Sequence, residues 1–190
     1  GVLSMLKKEN TPWLETERLF LRKFTENDLP DMFRIYSDKE VNTFLPWFAH
    51  RSMQETKEYL KTTVFPEYDK EIAYRYAIEE KREGKVIGYI SLCSIDEENC
   101  SGDLGYGLLK EYWNKGIVSE GCKAVLQRLK ENGFHFITAT HDVKNPASGE
   151  VMKKIGMTYR YSYEEQWQPK NLKVTFKLYR IDFRCKKKQE

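Results

Sequence analysis

The sequence predicts a mixed α/β fold, a twisted and mostly antiparallel sheet of about six to seven strands with helices on both faces. Three observations predict it. Some short runs alternate apolar and polar residues with a period of two, and others repeat apolar residues at helical spacing. These runs follow the order β-α-α-β-β-β-α-β-α-β-β, which mixes hairpins with crossovers. A strand–helix–strand unit over residues 101–141 calls for a parallel pair or a strand parted from its neighbour, whereas the three middle strands are hairpin-joined and antiparallel.

Residues 18–24 read as the first strand, with Leu19 and Leu21 on one side. Thr25-Glu26-Asn27-Asp28 is a helix cap, and Leu29, Met32, Phe33 and Tyr36 continue at helical spacing. Residues 42–51 form an aromatic loop with Phe44, Pro46, Trp47 and Phe48. Ser52-Met53-Gln54-Glu55 is a capping box that opens a second helix reaching about Val64. Residues 72–78 alternate as a strand, and Gly84 closes a hairpin to residues 85–92. A polar turn at 96–99 leads to a strand over 101–109. In the next helix Cys122, Val125, Leu126 and Leu129 form one apolar stripe, and Gly133 suits its C-terminal cap. Residues 134–141 read as a strand with Phe134, Phe136 and Thr138 on one face. Pro146 fits the first turn of a helix ending near Gly156. Residues 157–163 alternate with Tyr159, Tyr161 and Tyr163 on one side, and Val174, Phe176 and Leu178 mark the last strand.

A chain of 190 residues with 40% apolar and 14% aromatic side chains fills one ordinary domain, spanning 1–190, with 1–13 and 184–190 as peripheral tails. The excess of 32 basic over 29 acidic residues is small, and no basic stripe runs along a helix face, so no nucleic-acid partner is expected. Lys186-Lys187-Lys188 reads as a frayed, solvated terminus. Cys93, Cys100, Cys122 and Cys185 are scattered and read as reduced thiols of a cytoplasmic protein, not as a metal site. No signal-peptide core opens the chain, Met5 fits a native start, and no run is long enough for a membrane span. The sequon Asn99-Cys100-Ser101 is read as chance.

The most telling stretch is Tyr112-Trp113-Asn114-Lys115-Gly116-Ile117-Val118-Ser119-Glu120, which joins a strand to an amphipathic helix. The first turn of a helix has unpaired N–H groups and the positive end of the dipole, so it favours a phosphate. Gly116 permits close approach and Lys115 adds a charge. Gly105-Tyr106-Gly107 lies inside a strand, with Lys110 where a dinucleotide fingerprint needs its third glycine, and no Walker loop exists.

Gly105-Tyr106-Gly107-Leu108 followed by Trp113 to Glu120 resembles the acetyl-CoA motif of the GNAT N-acetyltransferases. Thr140-His141-Asp142-Val143-Lys144-Asn145-Pro146-Ala147-Ser148, with Met152 to Met157 after it, is similar to that family's second CoA motif. Thr16-Glu17-Arg18-Leu19-Phe20-Leu21-Arg22 and Leu45-Pro46-Trp47 resemble segments of the branch that acetylates ribosomal-protein N-termini. Three positions depart from the pattern: Trp113, Asn114 and Val118, the last expected to narrow the loop mouth.

The resemblance implies a GNAT-like sheet and transfer of acetyl from acetyl-CoA, without a metal, to an amine. The acceptor of first choice is a protein or peptide N-terminus, and a homodimer is compatible with the exposed-looking aromatics. A polyamine or aminoglycoside acetyltransferase, or a CoA-binding sensor without turnover, stands as the alternative. By resemblance, Leu108 and Leu109 end a strand that splays from its neighbour and receives the pantetheine. Trp113, Asn114, Lys115, Gly116, Ile117, Val118 and Ser119 bind the cofactor, with the backbone amides of Lys115 to Ser119 holding the diphosphate. Asn145 meets the pantetheine, Ser148 lies near the sulfur, and Lys154 reaches a phosphate. Asp103 and His141 are the candidate bases. Each has a plain alternative reading, Asp103 as a strand-edge carboxylate and His141 as a packed structural residue. Trp47, Glu164 and Trp167 are assigned to the acceptor, where acidic groups beside an aromatic would favour a cationic amine.

Overall fold

The computed structural model describes residues 6–183. Met5, Cys185 and Lys186 to Lys188 lie outside the described residues. The strands are β1 (Leu14–Glu15), β2 (Leu19–Arg22), β3 (Tyr74–Glu80), β4 (Lys85–Asp96), β5 (Ser101–Leu108), β6 (Phe136–Asp142), β7 (Thr158–Trp167) and β8 (Leu172–Asp182). The helices are α1 (Leu29–Ser37), α2 (Met53–Tyr59), α3 (Ile117–Glu131) and α4 (Pro146–Lys154). Beyond α2 the coil continues through a wider turn, Leu60–Val64, to Phe65–Glu67.

One sheet in the order β1-β2-β3-β4-β5-β6-β8-β7 carries all eight strands. This is one more than expected, because β1 has two residues and leaves no alternation to read. Each neighbouring pair is antiparallel except β5 and β6. That parallel pairing lasts three residues, Ser101–Phe136 to Asp103–Thr138, after which the strands part.

Helices α3 and α4 cover one face. The stripe Cys122, Val125, Leu126 and Leu129 is buried there with Met152, against Ile87, Ile90, Leu104 and Ile137. The helices α1 and α2 cover part of the other face, where Met32, Ile35, Tyr36, Leu60 and Val64 meet Ala77, Val86, Tyr89 and Leu109. Thr25 and Asp28 cap the first helical turn reciprocally, and the Ser52 hydroxyl accepts from the Glu55 amide at α2.

Three expectations need correction. Residues 6–13 are no peripheral tail: Leu6 and Thr11 are buried, and Asn10 bridges to Ala73. On β6 the fully buried side is Ile137, Ala139 and His141, while Phe136 and Thr138 face the other way. Phe134 is buried ahead of the strand, after the left-handed Gly133 turn at φ 95°. On β7, Tyr159 is opposite Tyr179 but Tyr161 is opposite Leu178, so a bulge at Arg160 turns Tyr159 away from Tyr161 and Tyr163.

Candidate active site

The parting of β5 from β6 creates the site. Beyond Asp103 and Thr138, residues 104–108 of β5 and 139–142 of β6 have no partner across the gap. The Leu109 amide donates to the Ile87 carbonyl at 2.9 Å, on the β4 side. Antiparallel pairing alternates, so the intervening amides of Leu108 and Tyr106 are directed away from β4, into the gap. Leu109 therefore contributes no amide there. The Trp113 indole N–H donates to the Leu108 carbonyl at 2.7 Å and ties the following loop to the end of β5.

The loop then turns twice through left-handed backbone, at Asn114 (φ 60°) and Gly116 (φ 74°). Asparagine tolerates that conformation better than most residues, which accounts for it at position 114. Gly116 caps α3, and the first amide bonded within the helix is that of Glu120, to the Gly116 carbonyl at 3.0 Å. The amides of Ile117, Val118 and Ser119 precede it and have no helical acceptor. The Ile117 and Ser119 side chains are buried, so only their backbone is offered. Val118 is partly buried and packs against the core.

Cations from distant parts of the chain meet at this helix end. A Cβ on Gly116 would lie 3.4 Å from Lys154 Nζ and 3.6 Å from an Arg18 guanidinium nitrogen. Arg18 donates to the Lys115 carbonyl at 2.9 Å and to Glu120 at 2.7 Å. Burial works to raise the Glu120 carboxyl, yet hydrogen bonds from Thr16 and Arg18 hold it below its ordinary value. Lys81, Arg82 and Lys115 line the same hollow of about 440 Å³ with Arg18, so four cations face two carboxylates there, Glu17 and Glu80. A glycine-opened helix end ringed by cations beside a strip of unpaired backbone fits the diphosphate and amide-rich arm of coenzyme A. The sequence reading missed Arg18 as a site residue, because its partners lie about a hundred residues away.

On the α4 side of the gap, Asn145 is the N-cap residue and its side chain makes no capping bond. Ser148 lies within 3.0 Å of the Tyr106 hydroxyl, which also donates to the Ser148 carbonyl at 2.9 Å. This contact joins α4 to β5 across the divergence, and only the fold brings Tyr106 to it.

Asp103 sits at the closed end of the gap, on the face away from α3 and α4. It accepts from the Thr138 hydroxyl at 2.9 Å. Burial pushes its carboxyl up to about 6, against the opposing effect of Thr138. Tyr163 is on the same side; burial, then the charges of Glu165 and Asp103, raise its hydroxyl, while Thr140 lowers it. His141 does not join them. Its position on β6 points it to the opposite face, where Nδ1 donates to the Asp142 carbonyl at 2.8 Å. Nε2 is buried without a partner, and a Cβ on Gly149 would stand 2.6 Å from it. Thus His141 supports α4 and is not presented beside Asp103.

Among the residues assigned to the acceptor from sequence, Trp47 anchors its loop through an indole bond to Asn42 at 3.3 Å. Phe48, not Trp47, lines the adjacent cavity. Trp167 packs on Phe176 and donates to Glu165 at 3.0 Å. Glu164 lies on the opposite face of β7 from Trp167 and pairs with Lys173 at 3.1 Å. Among the described residues no cluster of three or more His, Cys, Asp or Glu is arranged for a metal ion, and no helix is long and apolar enough to cross a membrane.

Comparison with known proteins places the fold. The curated relative YoaA of Bacillus subtilis, an uncharacterized N-acetyltransferase, is 27% identical over 76% of this chain and 82% of its own length. A GNAT-family acetyltransferase from Bacillus anthracis superposes with a TM-score of 0.78 at 25% identity, over 90% of this chain and 99% of that one. Two more distant folds are a ribosomal-protein-S5-alanine acetyltransferase from Vibrio fischeri and a spermidine N-acetyltransferase from Vibrio cholerae. The first has TM-score 0.72 and 20% identity over 90% and 96% of the two chains, the second 0.74 and 17% over 88% and 96%. The model of the acetyltransferase (GNAT) domain matches residues 18–158, from the arginine that braces the glycine loop to the first residue of β7. That match spans both walls of the gap, and the chain belongs to the GNAT family as one of its N-acetyltransferases.

Proposed function

We propose that this chain moves acetyl from acetyl-CoA to the α-amine of a peptide or protein N-terminus. The observation that carries the reading is the opening of the sheet after Asp103–Thr138, with an amide-rich, cation-ringed helix end at its mouth and a raised carboxyl at its closed end. Bound there, the thioester supplies an activated acyl group. Residues 113–119, Arg18 and Lys154 hold the phosphates, and Asn145 has a free side-chain amide for the arm. The Leu108 and Tyr106 amides face the gap, where they can polarise the carbonyl as oxyanion donors. In this reading Ser148, hydrogen-bonded to the Tyr106 hydroxyl, is the proton donor to the departing sulfur.

On the opposite face Asp103 is the base. A carboxyl near 6 is ionised at neutral pH and retains more proton affinity than an ordinary aspartate. An α-amine, with pKa about 8, needs only such a modest base, whereas lysine at about 10.4 needs more. This favours an N-terminus over a lysine side chain. The fold alone does not choose between proteins and small amines, since the S5-alanine and spermidine acetyltransferases share it.

The test is thiol release from acetyl-CoA with a panel of peptides, polyamines and aminoglycosides, followed by mass-spectrometric location of the acetyl group. Acetylation at α-amines supports the proposal. Turnover confined to small amines refutes the acceptor assignment. Thermal stabilisation by acetyl-CoA with no turnover on any amine supports a sensor instead.

A further inference from the structure

A cavity of about 470 Å³ lies between the loop after α1 and the β7–β8 hairpin. Its lining is Lys39, Asn42, Phe48, Ala49, Arg51 and Lys170, three cations and no carboxylate. Arg51 approaches Glu55 at 3.8 Å, and Lys39 and Lys170 form no ion pair among the described residues. Lys170 spans the two walls, donating to the Asn42 carbonyl at 2.9 Å and the Thr43 carbonyl at 3.3 Å. Burial lowers its ammonium from the ordinary lysine value.

Both walls lead back to the reacting face of β5. On one side, His50, between Ala49 and Arg51, stacks on Tyr36 at 5.3 Å, and Tyr36 stacks on Tyr89 at 5.5 Å. The Tyr89 ring occupies the space a side chain on Gly107 would need. On the other side, Trp167 meets Phe176 at 4.8 Å and Phe176 meets Tyr163 at 5.5 Å, beside Asp103. Arg75 lies on this same face, in register with Ser91 and, through it, with Gly105 of β5. It donates to the Tyr59 hydroxyl at 3.2 Å and has no ion pair among the described residues. Glu164 is turned to the opposite face and paired with Lys173, and Glu165 on the near face accepts from the Trp167 indole.

We propose that the acceptor is an acidic peptide, its carboxylates within the first few residues after the reacting amine seated among Lys39, Arg51 and Lys170, with Arg75 adding charge to the approach. Three cations in a concave site, two of them without an ion pair among the described residues, draw in an anion and repel a polycation. The proposal rests on amine acylation at Asp103 as the function, and specifies which amines are taken.

The experiment uses six-residue peptides with one common N-terminal residue followed by glutamates, alanines or lysines. Thiol release gives kcat/KM, and anisotropy of a labelled acidic peptide on the CoA-saturated protein gives binding without turnover. Each exposed charge contact is worth a few-fold at most, so three together predict roughly a tenfold advantage for the glutamate series over alanine. The advantage shrinks as salt is raised. It is lost or inverted in the double variant Lys39→Glu, Arg51→Glu, both exposed positions that leave the Lys170 tether in place. Preference for the lysine series or for spermine, or an acidic advantage that survives the double variant, overturns the proposal. Acidic peptide bound by the wild type and lost in the variant, with thiol released from no acceptor, preserves the charge recognition and overturns the acylation reading. Failure of the acidic peptide to bind or react overturns the recognition itself.

Discussion

Replacing Asp103 with asparagine should make the protein more stable and less active. In the fold this carboxyl holds its proton up to about pH 6, while in an unfolded chain it releases it near 3.8. Between those limits the folded state binds more protons, so stability falls as pH rises through the window. A displacement of about two pKa units corresponds to about 2–3 kcal/mol lost by neutral pH, at 1.36 kcal/mol per unit. Asparagine keeps an oxygen for the Thr138 hydroxyl, now 2.9 Å from Asp103 Oδ1, and never ionises. Asp103→Asn should therefore gain about 2–3 kcal/mol over the wild type at pH 7.5 and nothing at pH 3.5, where both side chains are neutral. In a chain of this length that is a rise in Tm of about 5–10 °C. Urea titrations at the two pH values measure it. The same variant should lose kcat/KM with amine acceptors and, with it, the acid limb near pH 6. Equal stability at both pH values would refute the buried-carboxylate argument, and an unaltered pH–rate profile would remove Asp103 as the base.

Three further outcomes are expected. Gly116→Asp puts a carboxylate beside Lys154 and Arg18, so the unliganded variant stays folded while CoA is excluded. Scanning fluorimetry should show the wild-type stabilisation, about 2.7 kcal/mol at a hundred times Kd, abolished; retained affinity would misplace the phosphate site. Gly149→Ala drives a methyl to 2.6 Å from His141 Nε2 and should destabilise the fold by about 1–3 kcal/mol in denaturant titration, because the buried ring has nowhere to move. Tyr106→Phe removes the hydroxyl bonded to Ser148 and should lower kcat several-fold with little change in the KM for acetyl-CoA; a pure KM effect would assign Tyr106 to binding.

Local chemistry was legible wherever one element sufficed. The Ser52 cap, the α3 stripe and the Gly116 loop could be read because period, cap and turn residues lie within a few positions of one another. The Arg160 bulge was invisible, since Tyr159, Tyr161 and Tyr163 alternate in sequence and only the partner strand shows the slip. The brace between Arg18 and Glu120 and the contact between Tyr106 and Ser148 were hidden for a related reason: they depend on which strands become neighbours. Among the candidate bases, Asp103 and His141 looked equivalent as residues. Register separates them, because Asp103 shares a face with Thr138, three positions before His141. Glu164 was placed beside Trp167 because strand alternation had not been applied from Trp167 backwards; Glu165 is the carboxylate on that face.

The short seam between β5 and β6 divides the sheet into a five-strand block and a three-strand block, laced by three residue pairs. An extended, amide-bearing molecule lying in the opening would act as a missing strand and complete the ladder. On the proposed placement of the cofactor, its binding would stitch together two blocks whose own ladder joins them through three residue pairs. Amide exchange along Leu104 to Leu108 should report that stitching directly, slowing as the cofactor fills the seam.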